Sequence, residues 1–281
     1  MIVFPNAKIN IGLRIVERRP DGYHNIESIM VPVGWCDILE IVPSETGRET
    51  LTVTGSAPDC PPEKNLVIKA LRAVERYTGK PLPTFDIYLH KVIPDGAGLG
   101  GGSSDASSAI MLANELAGLG LSKEEMAGIA AGVGADCPFY IYNRPMYVRG
   151  IGDILTPVEL PALAGLGIAI VKPDSEAVST KEAYAGVTPA PLAAGESLPE
   201  AVGAPVAEWK LGSTLRNDFE ASVFPLRPKI GRTLARLREY GPLYSAMTGS
   251  GAAVFGIFES VKMAEEAIAG FDGCRCFAGT L

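Results

Sequence analysis

Between Gly96 and Ser104 the chain places five glycines and two serines in nine positions. Glycine costs conformational entropy wherever it sits, so such bare backbone either forms a plain flexible turn or brings main-chain N–H groups against a ligand. The alternating strand expected over Phe85–Ile93 enters this stretch through Pro94 and Asp95. A helix without proline or glycine is expected over Ala106–Leu116, with Ser103 or Ser104 as its cap and Asp105 in its first turn. Consecutive N–H groups opening onto a helix N-terminus form an anion site with the helix dipole behind it, and a di- or triphosphate is the natural guest. A Walker A loop would carry a lysine directly after its last glycine, where Ser103 and Ser104 stand. A dinucleotide fingerprint would need an acidic residue about twenty positions on, and Glu115 lies in mid-helix instead. If this is a phosphate loop, it is of another type.

Three further groups have the right chemistry. Lys8 and Asn10 are two apart on the Ile- and Val-rich strand expected over Ile2–Val16, so both leave the same face. Such a lysine is either solvated or turned inward, where it needs a carboxylate or a phosphate. Asp136 follows Gly134 and Ala135 and precedes Pro138. Its small neighbours allow the close approach that a base beside a phosphate needs, although a turn aspartate bonding its own backbone is the plainer reading. A turn at Asp21-Gly22 delivers Tyr23 and His24, an aromatic pair suited to stacking or backbone contact. His24 and His90 are the chain's two histidines, a poor supply for a histidine-based nucleophile triad or a metal cluster.

The elements that must position these groups are legible in part. Val67, Ala70, Leu71, Val74 and Tyr77 recur at helical spacing before Gly79, and Ser122 with Glu125 has the spacing of a capping box. Short strands are expected at Ile38–Val42, Leu51–Val53 and Ile168–Val171, two strands within Tyr244–Phe258, and helices at Leu226–Tyr240 and Met263–Ala269. A Pro- and Gly-rich stretch over Gly150–Gly167 marks a boundary between domains 1–155 and 156–281. Pro189–Pro205 reads as an exposed loop. At 281 residues, 47% apolar and 20% charged, the chain has the composition of a packed globular protein. A formal charge of −7 argues against a broad nucleic-acid or anionic-membrane surface, and no membrane span or leader is expected. Five scattered cysteines without C-x-x-C spacing read as free thiols of a cytoplasmic protein.

Together these segments resemble a known family. PDGAGLGGGSSDASS is similar to the second signature of the GHMP kinases, Ala7-Lys8-Ile9-Asn10 to their first motif, and MTGSGAA at 247–253 to their third. AKINIGLRIVERRPDGYHNIESIM, AGLGGGSSDAS, GADCPFY and LRNDFE narrow the resemblance to the branch that phosphorylates the 2-hydroxyl of a cytidine diphosphate-linked methylerythritol in non-mevalonate isoprenoid synthesis. The resemblance implies an α+β, two-domain GHMP kinase fold, with an N-terminal domain like ribosomal S5 domain 2 and a ferredoxin-like C-terminal domain. It implies ATP with Mg2+, for which no ligating residue is named and protein ligands stay open, and a monomer or homodimer. Asp136 matches the catalytic aspartate, Lys8 its partner lysine, and Asn10 a contact to the acceptor alcohol. Pro94, Asp95, Gly96, Ala97, Gly98, Leu99, Gly100, Gly101, Gly102, Ser103 and Ser104 match the phosphate loop, and Asn65, Leu66 and Lys91 the adenine end. Tyr23, His24 and Tyr184 match the cytidine pocket, and Thr180, Gly249 and Ser250 are expected to bind substrate. Asp95 departs from the apolar or small residue that many members carry there, so it is expected to point outward. Kinases of homoserine or mevalonate, and non-catalytic members of the fold, are the alternatives. Tyr23, His24 and Tyr184 speak against the former, since those substrates offer nothing to stack. Lys8 and Asp136 speak against the latter.

Overall fold

A proline and a run of glycines decide how the chain begins and where its best helix starts. Pro5, which has no N–H to give a ladder, separates a short strand, Ile2–Val3, from a long one, Asn6–Arg18, so the single strand expected over Ile2–Val16 is two. The computed structural model describes residues 1–56, 60–209 and 214–281, which fall into two compact units.

The first unit comprises Met1–Ala7, Trp35–Asp95 and Gly100–Arg144. Its sheet has the order Ile2–Val3, Ile38–Pro43, Phe85–Lys91, Thr50–Gly55, antiparallel except for the last pair. Strict alternation along Phe85–Lys91 sends Phe85, Ile87 and Leu89 to the core. There they join Val67, Leu71 and Val74 of the helix Leu66–Thr78, which Asn65 caps and which Gly79 ends at a φ of 66°. The helix Gly101–Leu116 contributes Ala106, Ala109, Ile110 and Ala113 to the same core. Ser122 and Glu125 form the expected reciprocal capping box on the helix Lys123–Ala131. A further short helix, Cys137–Tyr142, closes the unit.

The second unit comprises Lys8–Gly34, Gly96–Leu99 and Pro145–Leu281. One sheet runs Tyr244–Met247, Val254–Phe258, Gly167–Pro173, Cys274–Thr280, antiparallel throughout. Every residue of Gly167–Pro173 is buried, so its signal is a continuous apolar run rather than alternation. The helices Phe219–Leu226, Pro228–Arg238 and Val261–Ile268 supply Phe219, Val223, Ile230, Leu234 and Ala264 to its core. The other sheet orders Asn6–Arg18, His24–Cys36, Met146–Arg149 and Ile154–Pro157.

Three local expectations are corrected. The helix after the glycine loop starts at Gly101 with left-handed Gly100 as its cap, so Ser103 and Ser104 lie inside the first turn and Asp105 behind it. The helix expected over Leu226–Tyr240 is divided at Arg227, where a φ of −130° breaks the helical path ahead of Pro228. Within Pro189–Pro205 the segment Leu198–Gly203 is a helix with Leu198 and Val202 buried, and Ser197 accepts from the Glu200 N–H at its start.

Candidate active site

The glycine loop is built by close approach on both halves. In the second unit, Gly98 has a φ of +74°, and a Cβ there would collide with the carbonyl oxygen of Thr248. The Gly96 carbonyl accepts from Ala252 N–H at 3.1 Å, the Ala97 carbonyl from Ala253 N–H at 3.1 Å, and the Leu99 carbonyl from Lys8 N–H at 3.0 Å. The first sequence motif, the start of the second and the third therefore meet on main-chain bonds. In the first unit, Gly100 has a φ of +73°, and a Cβ there would strike the Tyr140 hydroxyl. No side chain caps the helix that Gly100 opens. The leading N–H groups of such a helix have no intrahelical acceptor, the feature that suits helix N-termini to anions in general. Ala97, Leu99 and Pro94 are buried, whereas Asp95 is exposed, as expected of an acid beside an anion loop.

Lys8 and Asn10 both face inward. The Lys8 ammonium donates to Asn10 Oδ1 at 2.6 Å, and the same oxygen accepts from Gly249 N–H at 3.1 Å. Asn10 Nδ2 donates to Ser28 Oγ at 2.8 Å, whose hydroxyl donates to the Gly12 carbonyl at 2.6 Å. Thr248 Oγ1 accepts from Asn10 N–H at 3.1 Å. Of two readings of a strand lysine, the solvated one is removed: Lys8 is 3% exposed.

In the first unit Asp136 stands just before the helix Cys137–Tyr142 with its side chain half-buried, and its carboxylate does not cap that helix. Asn65 spends its side-chain oxygen on Val67 N–H at 2.9 Å, and Leu66 lies against Gly102. Lys91, expected at the adenine end, is held by Asp37 and by Asp105, the latter at 2.6 Å. Asp37 also accepts from the Val92 and Ile93 N–H groups at 2.6 and 2.8 Å. Burial alone would lower the Lys91 ammonium, but the Asp105 and Asp37 carboxylates reverse this and raise it. Burial, with Asp37 beside it, pushes the Asp105 carboxyl up to about 7 against the pull of Lys91. Asp105 Oδ1 is buried with no hydrogen-bond partner among the described residues. This ion cluster was not read from the sequence, since its members lie 14 and 54 residues apart.

The aromatic residues split. His24 and Tyr184 lie face to face in the second unit, and the Tyr184 and Phe219 rings meet in a T-shaped contact with centroids 4.8 Å apart. Tyr23 is 62% exposed, and Thr180 is an exposed first residue of the helix Thr180–Ala185. Burial, and then the charge of Arg18, lowers the His24 imidazole, keeping the ring neutral at pH 7. Gly249 is buried and Ser250 half-buried at the turn of the third motif. That turn is held by Asn217, part of the LRNDFE segment but given no role from sequence: its Nδ2 donates to the Met247 and Gly249 carbonyls at 2.7 and 2.9 Å. Among the described residues no group of three or more His, Cys, Asp or Glu side chains could hold a metal ion, and no helix is long and apolar enough to cross a membrane. None of the five cysteines is in a disulfide.

The family model described as GHMP kinases N terminal domain matches residues 65–144, and that described as GHMP kinases C terminal matches 207–272. Over its whole length the chain is 50% identical to the 4-diphosphocytidyl-2-C-methyl-D-erythritol kinase of Parabacteroides distasonis, covering 100% of both chains. The chain belongs to the GHMP kinase family. A second relative of the same name, from Bacteroides fragilis, is 44% identical, with 99% of this chain and 98% of the relative covered. Among solved structures, a 4-(cytidine 5'-diphospho)-2C-methyl-D-erythritol kinase superposes with a TM-score of 0.79 at 31% identity, covering 100% of this chain and 98% of that one. The homoserine kinase of Cytophaga hutchinsonii, at 20% identity and a TM-score of 0.70 over 98% and 94% of the two chains, shares the fold. As a GHMP kinase the chain is a small-molecule kinase with ATP as its phosphate donor, on a fold of mixed helices and sheets.

Proposed function

We propose that this GHMP kinase transfers the γ-phosphoryl group of ATP to the 2-hydroxyl of 4-diphosphocytidyl-2-C-methyl-D-erythritol, giving the 2-phosphate and ADP for isoprenoid precursor synthesis. The observation that carries the choice of acceptor is the ring stack of His24 on Tyr184, with Phe219 behind it. A neutral imidazole and a phenol offer a pyrimidine both stacking area and hydrogen bonds, which a small aliphatic alcohol cannot use. The relatives that bear this substrate in their names support the same reading.

Phosphoryl transfer passes through a loose transition state, so the protein chiefly positions the reactants and offsets spreading charge. The uncapped N–H groups behind Gly100 receive the phosphates, and the Lys8 ammonium meets the negative charge that develops in transfer. Asp136 accepts the hydroxyl proton. A carboxylate is a weak base for an alcohol, so the proton leaves late, when the oxygen is already bonding to phosphorus. Mg2+ is a hard ion that takes oxygen donors, and nucleotide phosphates with the Ser103 or Ser104 hydroxyls of the loop helix are donors of that kind. Bound there, it would neutralise phosphate charge. The residues 1–155 and 156–281 are assigned to the nucleotide-binding and C-terminal domains, the setting is cytoplasmic, and the working form is a monomer or homodimer.

A substrate panel tests this reading. In a coupled ADP-release assay, with and without Mg2+, the cytidylated alcohol should turn over far faster than homoserine or mevalonate. Equal rates on either would overturn the assignment. Asp136→Asn should still bind ATP and lose about a hundredfold or more in kcat, the usual scale for a general base; wild-type turnover would remove Asp136 from the mechanism.

A further inference from the structure

Four consecutive residues, Asn217 to Glu220, each hold a different part of the second unit. The backbone around Asn217 is pinned to the first long strand, with Leu13 N–H on the Arg216 carbonyl at 3.0 Å and Asp218 N–H on the Leu13 carbonyl at 2.8 Å. Asp218 then accepts from Ile15 N–H at 2.9 Å and from Arg14 and Arg216. From this fixed base, Asn217 donates to the carbonyls of Met247 and Gly249, while its Oδ1 accepts from Phe219 N–H at 3.0 Å. Glu220 Oε1 accepts from Met247 N–H at 2.8 Å. Both main-chain groups of Met247 are therefore taken by the tetrapeptide. Gly249 has its carbonyl on Asn217 and its N–H on Asn10, so the turn that precedes Ser250 has no main-chain freedom left at either residue. Phe219, between these two polar anchors, makes a T-shaped contact with Tyr184, the planes at 85°.

We propose that Asn217–Glu220 is a positioning element for the acceptor substrate, tying the aromatic platform of His24 and Tyr184 and the Gly249–Ser250 turn to one backbone reference. This rests on the reading that those two places hold the cytosine and the rest of the acceptor. One end of the substrate is then registered against the other by a rigid four-residue spacer, and a displacement of either anchor costs the fit of a long ligand at both. None of the four needs to touch the substrate.

The test is a split between Michaelis constants. Asn217→Asp is isosteric yet cannot donate to the two carbonyls, and Glu220→Ala removes the acceptor for Met247 N–H. In protein shown to be folded by near-UV circular dichroism, each should raise KM for the cytidylated alcohol about tenfold while KM for ATP stays within about twofold. Glu220→Gln, whose amide oxygen still accepts from Met247 N–H, should restore the wild-type value. Phe219→Leu should raise KM for the cytidylated alcohol alone. If Asn217→Asp does not fold, the Glu220→Ala and Glu220→Gln pair decides. A merely structural role would lower Tm and leave both Michaelis constants unchanged in the folded fraction, and that result overturns the proposal. Failure of the wild-type protein to turn over the cytidylated alcohol overturns the functional reading and this inference with it; wild-type turnover with unshifted variants overturns this inference alone.

Discussion

The imidazole of His24 lies on the phenol ring of Tyr184 with centroids 4.7 Å apart and planes 18° from parallel. The two residues are 160 positions apart in the chain, one at the start of the strand His24–Cys36 and the other in the helix Thr180–Ala185. A stack of this kind contributes ~0.5–1.5 kcal/mol beyond the area it buries. Tyr184→Ala should therefore raise KM for the cytidylated alcohol by about tenfold, with KM for ATP unchanged. Equal effects on both constants would count against a base platform. Because His24 is neutral at pH 7, the wild-type KM for the alcohol should be flat from neutral to mildly alkaline pH.

Gly98 and Gly22 make a matched pair of positive-φ glycines. A Cβ at Gly98 would meet the Thr248 carbonyl, whereas a Cβ at Gly22 meets nothing within 4 Å. Gly22→Ala should cost only the conformational penalty, about 1 kcal/mol. Gly98→Ala adds a main-chain collision and should cost at least about 2 kcal/mol more, seen as a clearly lower Tm without ligand. Equal Tm losses would mean that the loop does not need the close approach.

Asp105 makes stability depend on pH with an uncommon sign. Its carboxyl is raised to about 7 in the folded chain, above the ordinary carboxylate range. Between about pH 4 and about pH 7 the folded state holds a proton that the unfolded chain has released, so this group's contribution to stability falls as pH rises through that window. In Asp105→Asn that contribution is absent. Urea midpoints followed across the window should converge or cross for the two proteins; parallel curves would place the proton elsewhere.

Thiol chemistry should discriminate cleanly. Cys60 is exposed, while Cys137 is fully buried and burial pushes its thiol up to about 11. An alkylating reagent at neutral pH should label Cys60 first and leave Cys137 intact until the chain unfolds. Peptide mapping by mass spectrometry reads this directly, and early label on Cys137 would refute it.

What the sequence discloses depends on how local each constraint is. The helix Leu66–Thr78 announces itself by spacing, a capping asparagine and a terminal glycine, all within fifteen residues. The strand His24–Cys36 hides, because its burial follows no simple alternation and Pro32 and Gly34 interrupt the pattern. The Leu198–Gly203 helix had a local signal, Ser197 with Glu200 three positions on, inside a stretch whose prolines and alanines suggest loop. Lys8, Asn10, Asp136 and the glycine loop stand out because their chemistry is unusual for their surroundings. Asn217 does not, since its meaning lies in two carbonyls 30 and 32 residues away. The cluster of Asp37, Lys91 and Asp105 is invisible for the same reason.

The row of bonds from Lys8 through Asn10 and Ser28 to the Gly12 carbonyl runs in one direction. The Asn10 amide in the middle is a group that neither surrenders nor gains a proton at working pH. Toward the strand below, Lys8 thus faces an insulator rather than a wire. Whatever charge moves during turnover, this row of bonds cannot carry a proton away.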